Sequence, residues 1–186
     1  MNATLSLDPS CSKRTWLARW DRDANDEWRL TSLDRLPVFT DPGFLPAFVA
    51  VCRDLQEDAP GWHFVIEKPF VLKGNVSSAA LDLVRMSGFV WAVVAMHGGL
   101  YTELTAQQWR KRIIMGDGRR MSALRTRNES KAAAKVLAGA WASDAHCGPV
   151  ETLRMAVRDD AAETVLLGLA YLCPDGYAIA VPGGVA

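Results

Sequence analysis

Four acidic residues stand where acids are costly to place. Asp8 closes an apolar stretch built on Leu5 and Leu7, and Glu67 closes another, Phe64-Val65-Ile66. Asp160 and Glu163 follow near the C-terminus at a spacing that puts them on one face of a helix. Carboxylates brought together raise one another's pKa and resist losing their water, so buried strands that end in acids imply a cation to receive them. An all-oxygen donor set suits hard divalent metals such as Mg²⁺ or Mn²⁺. Phosphoryl transfer to water is the commonest chemistry at such centres, which makes a metal-dependent nuclease the leading reading. Each acid also has a plainer use: Asp160 and Glu163 suit the first turn of a helix for dipole reasons alone. Asp159 and Glu163 share a face as well, so spacing does not choose between Asp159 and Asp160.

A formal net charge of zero hides a segregated distribution. Between Arg110 and Lys135 nine basic residues, Arg119, Arg120, Lys111 and Lys131 among them, are opposed only by Asp117 and Glu129. Between Asp21 and Asp58 nine acids face four arginines. A concentrated positive segment is the footprint of phosphate binding, although a solvated basic loop would read the same way. The four cysteines form no CxxC pair, so neither a zinc site nor a disulfide framework is expected.

The elements that must position these groups follow from periodicity. Residues 3–8, 15–20 and 27–33 read as an antiparallel meander, with Asp/Asn-rich residues 21–26 as a turn. A helix is expected at 44–57 and a buried strand at 62–67. Ser77 or Ser78 caps a helix running to Met96, apolar around most of its circumference, which calls for burial in the core or a subunit interface. A strand at 100–104, a helix from Thr105 to Met115, a Gly/Arg-rich loop over 116–128 and helices at 129–142 and 159–172 complete the order. With 186 residues and 49% hydrophobic content, one domain over 1–173 and a tail over 174–186 are expected. No run of about 18 uninterrupted apolar residues argues for a membrane span. The N-terminus has no charged then apolar pattern of a signal peptide, so a cytoplasmic location is expected.

Several of these residues together resemble the ribonuclease H-like nucleases, and within them the RuvC-type Holliday junction resolvases. The likeness lies in Asp8-Pro9 after the first strand, Val65-Ile66-Glu67 at the end of a central strand, and Asp160-Ala161-Ala162-Glu163 opening the last helix. Glu67-Lys68-Pro69-Phe70 followed by Lys73-Gly74-Asn75 is similar to the family's acid, aromatic and Lys-Asn run. Gln108-Trp109-Arg110-Lys111 leading to Ile113-Ile114-Met115-Gly116 is similar to its basic helix ending in glycine. The likeness spans roughly residues 3–172. Ser10 stands where the family has glycine, Glu163 where it has aspartate, and the segment from Gly116 to Lys131 is longer.

The resemblance implies an α/β fold: a mixed five-stranded sheet, its first three strands antiparallel, with helices on both faces. It implies that Asp8, Glu67, Asp160 and Glu163 hold two Mg²⁺ or Mn²⁺ ions about 4 Å apart, and it favours Asp160 over Asp159. It makes Lys131 a catalytic cation. Phe70, Lys73, Asn75, Arg110, Lys111, Arg119, Arg120 and Lys131 become the expected DNA contacts, with Phe70 placed to wedge between base steps. The expected reaction is paired symmetric nicking of a four-way junction by a homodimer joined through helix 77–96. Other branched DNA or RNA–DNA hybrids as substrates, or a junction-binding protein that does not cut, are the alternatives.

Overall fold

Strand alternation sorts the side chains of the first strand before any helix packs on it. A computed structural model describes residues 3–9, 15–69, 77–142 and 159–179. In β1 (Ala3–Asp8) Ala3, Leu5 and Leu7 belong to one hydrophobic cluster, and Thr4, Ser6 and Asp8 point to the opposite face. β2 (Trp16–Arg22) and β3 (Trp28–Arg35) continue from β1 as an antiparallel meander. The β2–β3 turn is held by the Asp23 carboxylate, which accepts from the backbone N–H groups of Asn25 and Glu27. β4 (His63–Glu67) and β5 (Leu100–Leu104) add in parallel on the other side of β1, for a spatial order β3-β2-β1-β4-β5.

Helices cover both faces. α1 (Phe44–Asp58) and α2 (Ser78–Met96) pack Phe44, Phe48, Leu55, Met86 and Val90 against Leu5, Leu7, Phe64 and Ile66. α3 (Ala106–Arg112), α4 (Arg127–Trp141) and α5 (Asp159–Leu172) cover the other face over Trp20, Val65 and Leu104. The expected mixed five-stranded sheet with helices on both faces is present.

α5 lies unusually close to the sheet, and this sets where its acids fall. A Cβ at Gly168 would sit 2.3 Å from Trp20 Nε1 and 2.7 Å from Ser6 Oγ, so only glycine admits the contact. Beside it the Trp20 indole donates to Ser6 Oγ (3.2 Å), and the Ser6 hydroxyl donates to the Thr164 carbonyl (2.9 Å). These bonds satisfy two polar side chains in the core and seat the first turns of α5 over the end of β1.

Three boundaries differ from expectation. The helix expected to reach Met115 stops at Arg112, because Ile113–Ile114 form β6 and pair in parallel with β7 (Tyr177–Ala178). A β-branched pair with Ile113 fully buried is better used there as strand. Within the expected loop, Met121–Ala123 form a 3₁₀ turn around a buried Met121. α4 begins at Arg127, two residues early, because Thr126 and Glu129 form a capping box.

α2 is the one helix among the described residues long and apolar enough to cross a membrane, by length and composition alone. It is two-sided in the fold: Met86, Val90 and Val94 are buried, whereas Leu81, Val84 and Trp91 are exposed.

Candidate metal centre

Parity brings the first two acids to the same place. Asp8 is the last residue of β1 on the face that α5 covers. Leu7 and Ile66 are partners in the parallel β1–β4 ladder, so Asp8 and Glu67 end neighbouring strands side by side. Val65 packs with the cluster under α5, so Glu67, two residues on, projects to that same face. The third contribution is the first turn of α5, where Asp160 and Glu163 sit one turn apart.

Ligand atoms of Asp8, Asp160 and Glu163 all lie within 4.8 Å of one another. Glu67 stands beside that trio, and among the charged neighbours that push the Asp8 carboxyl up it contributes most. Burial is the larger cause of that upward push, followed by the charges of Glu67, Glu163 and Asp160, with Lys131 opposing. Asp8 is half-buried as a residue, and protein surrounds its carboxyl. Burial also raises Glu163, offset by Arg110 and Lys131, and raises Glu67, offset by a hydrogen bond from Trp109 and the charges of Arg110 and Arg127. Three carboxyls held above their ordinary range form a site short of positive charge.

Two cations already lean into it. The Lys131 ammonium donates to Asp160 Oδ1 at 2.8 Å and lies 3.9 Å from Glu163 Oε2. Arg110 Nη2 donates to Glu163 Oε1 at 3.0 Å. The donor set is all oxygen, anionic and compact, which fits a hard divalent cation such as Mg²⁺ or Mn²⁺.

The structure thus gathers Asp8, Glu67, Asp160, Glu163 and Lys131, the five residues singled out as catalytic. Of the expected DNA contacts, Arg110 is turned inward onto Glu163. Lys111 is exposed, and Arg120 hydrogen-bonds the Lys111 carbonyl. Arg119 is exposed and paired with Asp117. Phe70, Lys73 and Asn75 lie outside the described residues. Sequence reasoning overlooked Trp109, whose indole donates to Glu67 Oε2 at 2.6 Å, and Arg127, whose charge reaches Glu67. The only hint of Trp109 was a large aromatic within the basic Gln-Trp-Arg-Lys run.

No family model matches the chain, and no curated protein matches it in sequence. Its fold is similar to that of solved structures. One is "T. thermophilus RuvC in complex with Holliday junction substrate", with TM-score 0.57 at 15% identity, covering 94% of this chain and 96% of that one. A second structure of Thermus thermophilus RuvC gives TM-score 0.52 at 13% identity, covering 91% and 95%. The yeast mitochondrial Holliday junction resolvase Ydc2 gives TM-score 0.51 at 12% identity, covering 91% of this chain and 77% of that one. The RuvC-like fold implied by the sequence resemblance is therefore present from near one end of the chain to the other.

Proposed function

We propose that the chain is a metal-dependent endonuclease that resolves four-way DNA junctions as a homodimer. The observation that carries this reading is the convergence of Asp8, Asp160 and Glu163 within 4.8 Å, with Glu67 alongside. It occurs on a fold shared with proteins described as Holliday junction resolvases.

Asp8, Glu67, Asp160 and Glu163 would hold Mg²⁺ or Mn²⁺, two ions for the four carboxylates. When bound, the metal supplies a charge clamp on the phosphate and lowers the pKa of water. The chain's own residues do the rest. Asp8, whose ligand atom lies within 4.8 Å of those of both Asp160 and Glu163, would hold metal at the centre of the cluster. Lys131, whose ammonium already donates to Asp160, offsets negative charge that gathers on the phosphate oxygens. Lys111 at the end of α3, with Arg119 and Arg120 on the exposed segment that follows it, meets backbone phosphates, where these residues add affinity and salt dependence rather than base preference. Phe70 is assigned the role of a wedge between base steps, with Lys73 and Asn75 beside it on the DNA.

Two symmetric cuts need two centres related by a two-fold axis. The outer face of α2 supports such a pairing. Leu81, Val84, Gly88, Trp91 and Ala95 are all exposed and recur at alternating three- and four-residue spacing. That is the pattern of a helix seam rather than of a solvated face. A Cβ at Gly88 would meet nothing within 4 Å among the described residues, so its small size leaves room for a second helix.

The test is cleavage of a labelled synthetic four-way junction beside matched linear duplex and RNA–DNA hybrid, in Mg²⁺, Mn²⁺ or EDTA. Metal-dependent cutting confined to the junction supports the reading. Equal cutting of duplex or hybrid would make the chain a nuclease of another preference. Tight junction binding with no cutting in either metal would leave a non-cleaving junction-binding protein.

A further inference from the structure

We propose that Trp109 and Arg110 of α3 act as a clamp that fixes which carboxylate oxygens of the metal centre stay open, and so favours small six-coordinate cations over Ca²⁺. The proposal rests on the metal-centre reading above. Two consecutive residues reach two acids from different elements. The Trp109 indole N–H takes Glu67 Oε2 (2.6 Å) at the end of β4, and Arg110 Nη2 takes Glu163 Oε1 (3.0 Å) on α5. The Arg110 guanidinium also lies over the Trp109 ring, 5.1 Å from its centre, so the two arms support each other.

The clamp is anchored at both ends. Trp109 is fully buried. A capping box of Thr105 and Gln108 closes the start of α3, and Arg112 Nη1 donates to the Ala170 carbonyl (3.1 Å), tying its end to α5. The Arg110 side chain is 22% exposed and that of Glu163 only 8%. Arg110 Nε is buried and has no hydrogen-bond partner among the described residues. An arginine that leaves one donor unmet to keep its fork on a carboxylate is held there by that contact, since buried donors are otherwise almost always satisfied.

An oxygen that already accepts a short hydrogen bond is a poorer metal ligand than its free twin. Each clamped carboxylate is therefore left with one oxygen outside the clamp, Glu67 Oε1 and Glu163 Oε2, the latter accepting no short hydrogen bond but lying 3.9 Å from the Lys131 ammonium. One-atom carboxylate ligands suit the tight octahedral shell of Mg²⁺, whereas Ca²⁺ takes six to eight oxygens and readily uses both atoms of a carboxylate. Removing either arm frees an oxygen and relaxes that constraint.

The test is calorimetric titration of the full chain with Mn²⁺ and separately with Ca²⁺, for wild type, Trp109→Phe and Arg110→Met, each first shown to be folded by its melting transition. Trp109→Phe changes no charge and should weaken Mn²⁺ binding about 10- to 100-fold, the usual effect of losing a hydrogen-bond partner of a metal ligand. For Arg110→Met the informative quantity is the ratio of Mn²⁺ to Ca²⁺ affinity, because loss of a positive charge acts alike on two ions of equal charge. That ratio should fall about tenfold in both variants. An unchanged ratio in both, whether the two affinities stay put or weaken in parallel, would overturn the clamp and leave Trp109 and Arg110 as packing residues. If Trp109→Phe does not fold, the ratio for Arg110→Met decides alone. Wild type that binds neither cation would overturn the clamp and the metal-centre reading together.

Discussion

Replacing Asp8 with asparagine should stabilise the metal-free protein while removing its response to cations. Asp8 lies within 4.8 Å of ligand oxygens of both Asp160 and Glu163. Two unit charges at that separation repel by about 3.5 kcal/mol at an effective dielectric near 20. Lys131 opposes part of this, and burial together with the neighbouring acids pushes the Asp8 carboxyl upward, so only part of that repulsion counts toward the gain. A gain of about 1–2 kcal/mol is the reasonable remainder, equivalent to a Tm rise of roughly 2–8 °C for a domain of this size. The assay is thermal unfolding of wild type and Asp8→Asn in EDTA and in millimolar Mn²⁺. In EDTA the variant should melt higher. In Mn²⁺ wild type should gain stability by mass action, and the variant should gain little. A variant that melts lower than wild type in EDTA, or that keeps the full Mn²⁺ gain, would refute the reasoning that Asp8 is a repelled ligand at the heart of the cluster.

Further outcomes follow from the same geometry. Burial raises the pKa values of Asp8, Glu67 and Glu163, with repulsion from neighbouring acids adding to it at Asp8 and Glu163, so the native state holds protons that the unfolded chain sheds near pH 4. Their stabilising effect is complete at acid pH and is lost as pH rises through the raised native range. The EDTA melting gap between Asp8→Asn and wild type should therefore widen with rising pH, and a gap independent of pH would contradict the shifts. Mn²⁺ affinity should strengthen over the same rise as ligands lose protons, measured by calorimetry in buffers of different ionisation enthalpy. Trp91→Glu, at a side chain 56% exposed in the outer face of α2, should turn a dimer into a folded monomer by sedimentation velocity; a wild type already monomeric at micromolar concentration would remove the proposed seam. Gly168→Ala drives a methyl to 2.3 Å from Trp20 Nε1. It should cost about 1–3 kcal/mol by overpacking, more than the roughly 1 kcal/mol that alanine returns as helix propensity. A melting temperature at or above that of wild type would show that α5 slides freely on the sheet.

What could be read from the chain was whatever depends on local pattern. Apolar alternation located β1 and a continuous apolar run located β4, each with an acid at its end, and helical spacing put Asp160 and Glu163 on one face. Their meeting depends on strand order and on the approach of α5, which Gly168, Ser6 and Trp20 control through contacts distant in the chain. No local pattern reveals that. The capping box at Thr126 and Glu129 was legible and would have placed the start of α4 correctly. The end of α3 was not, because Ile113–Ile114 become strand only when Tyr177–Ala178 arrive from the far end of the chain. Arg110 shows the limit on function most clearly. By composition it belongs with the basic segment that follows, but the packing of α3 on α5 directs its fork at Glu163 instead of outward. Trp109 carried no sign of a polar role, since a buried indole N–H declares its partner only in the folded state.

A supercoiled plasmid that extrudes a cruciform tests junction resolution most directly. Paired cuts across the junction within one complex convert it to linear DNA, whereas uncoupled single nicks relax it to open circles. Linear product is expected in Mg²⁺ or Mn²⁺, none in EDTA, and none with Asp8→Asn. Open circles accumulating without linear DNA, or cutting that survives the loss of Asp8, would contradict it.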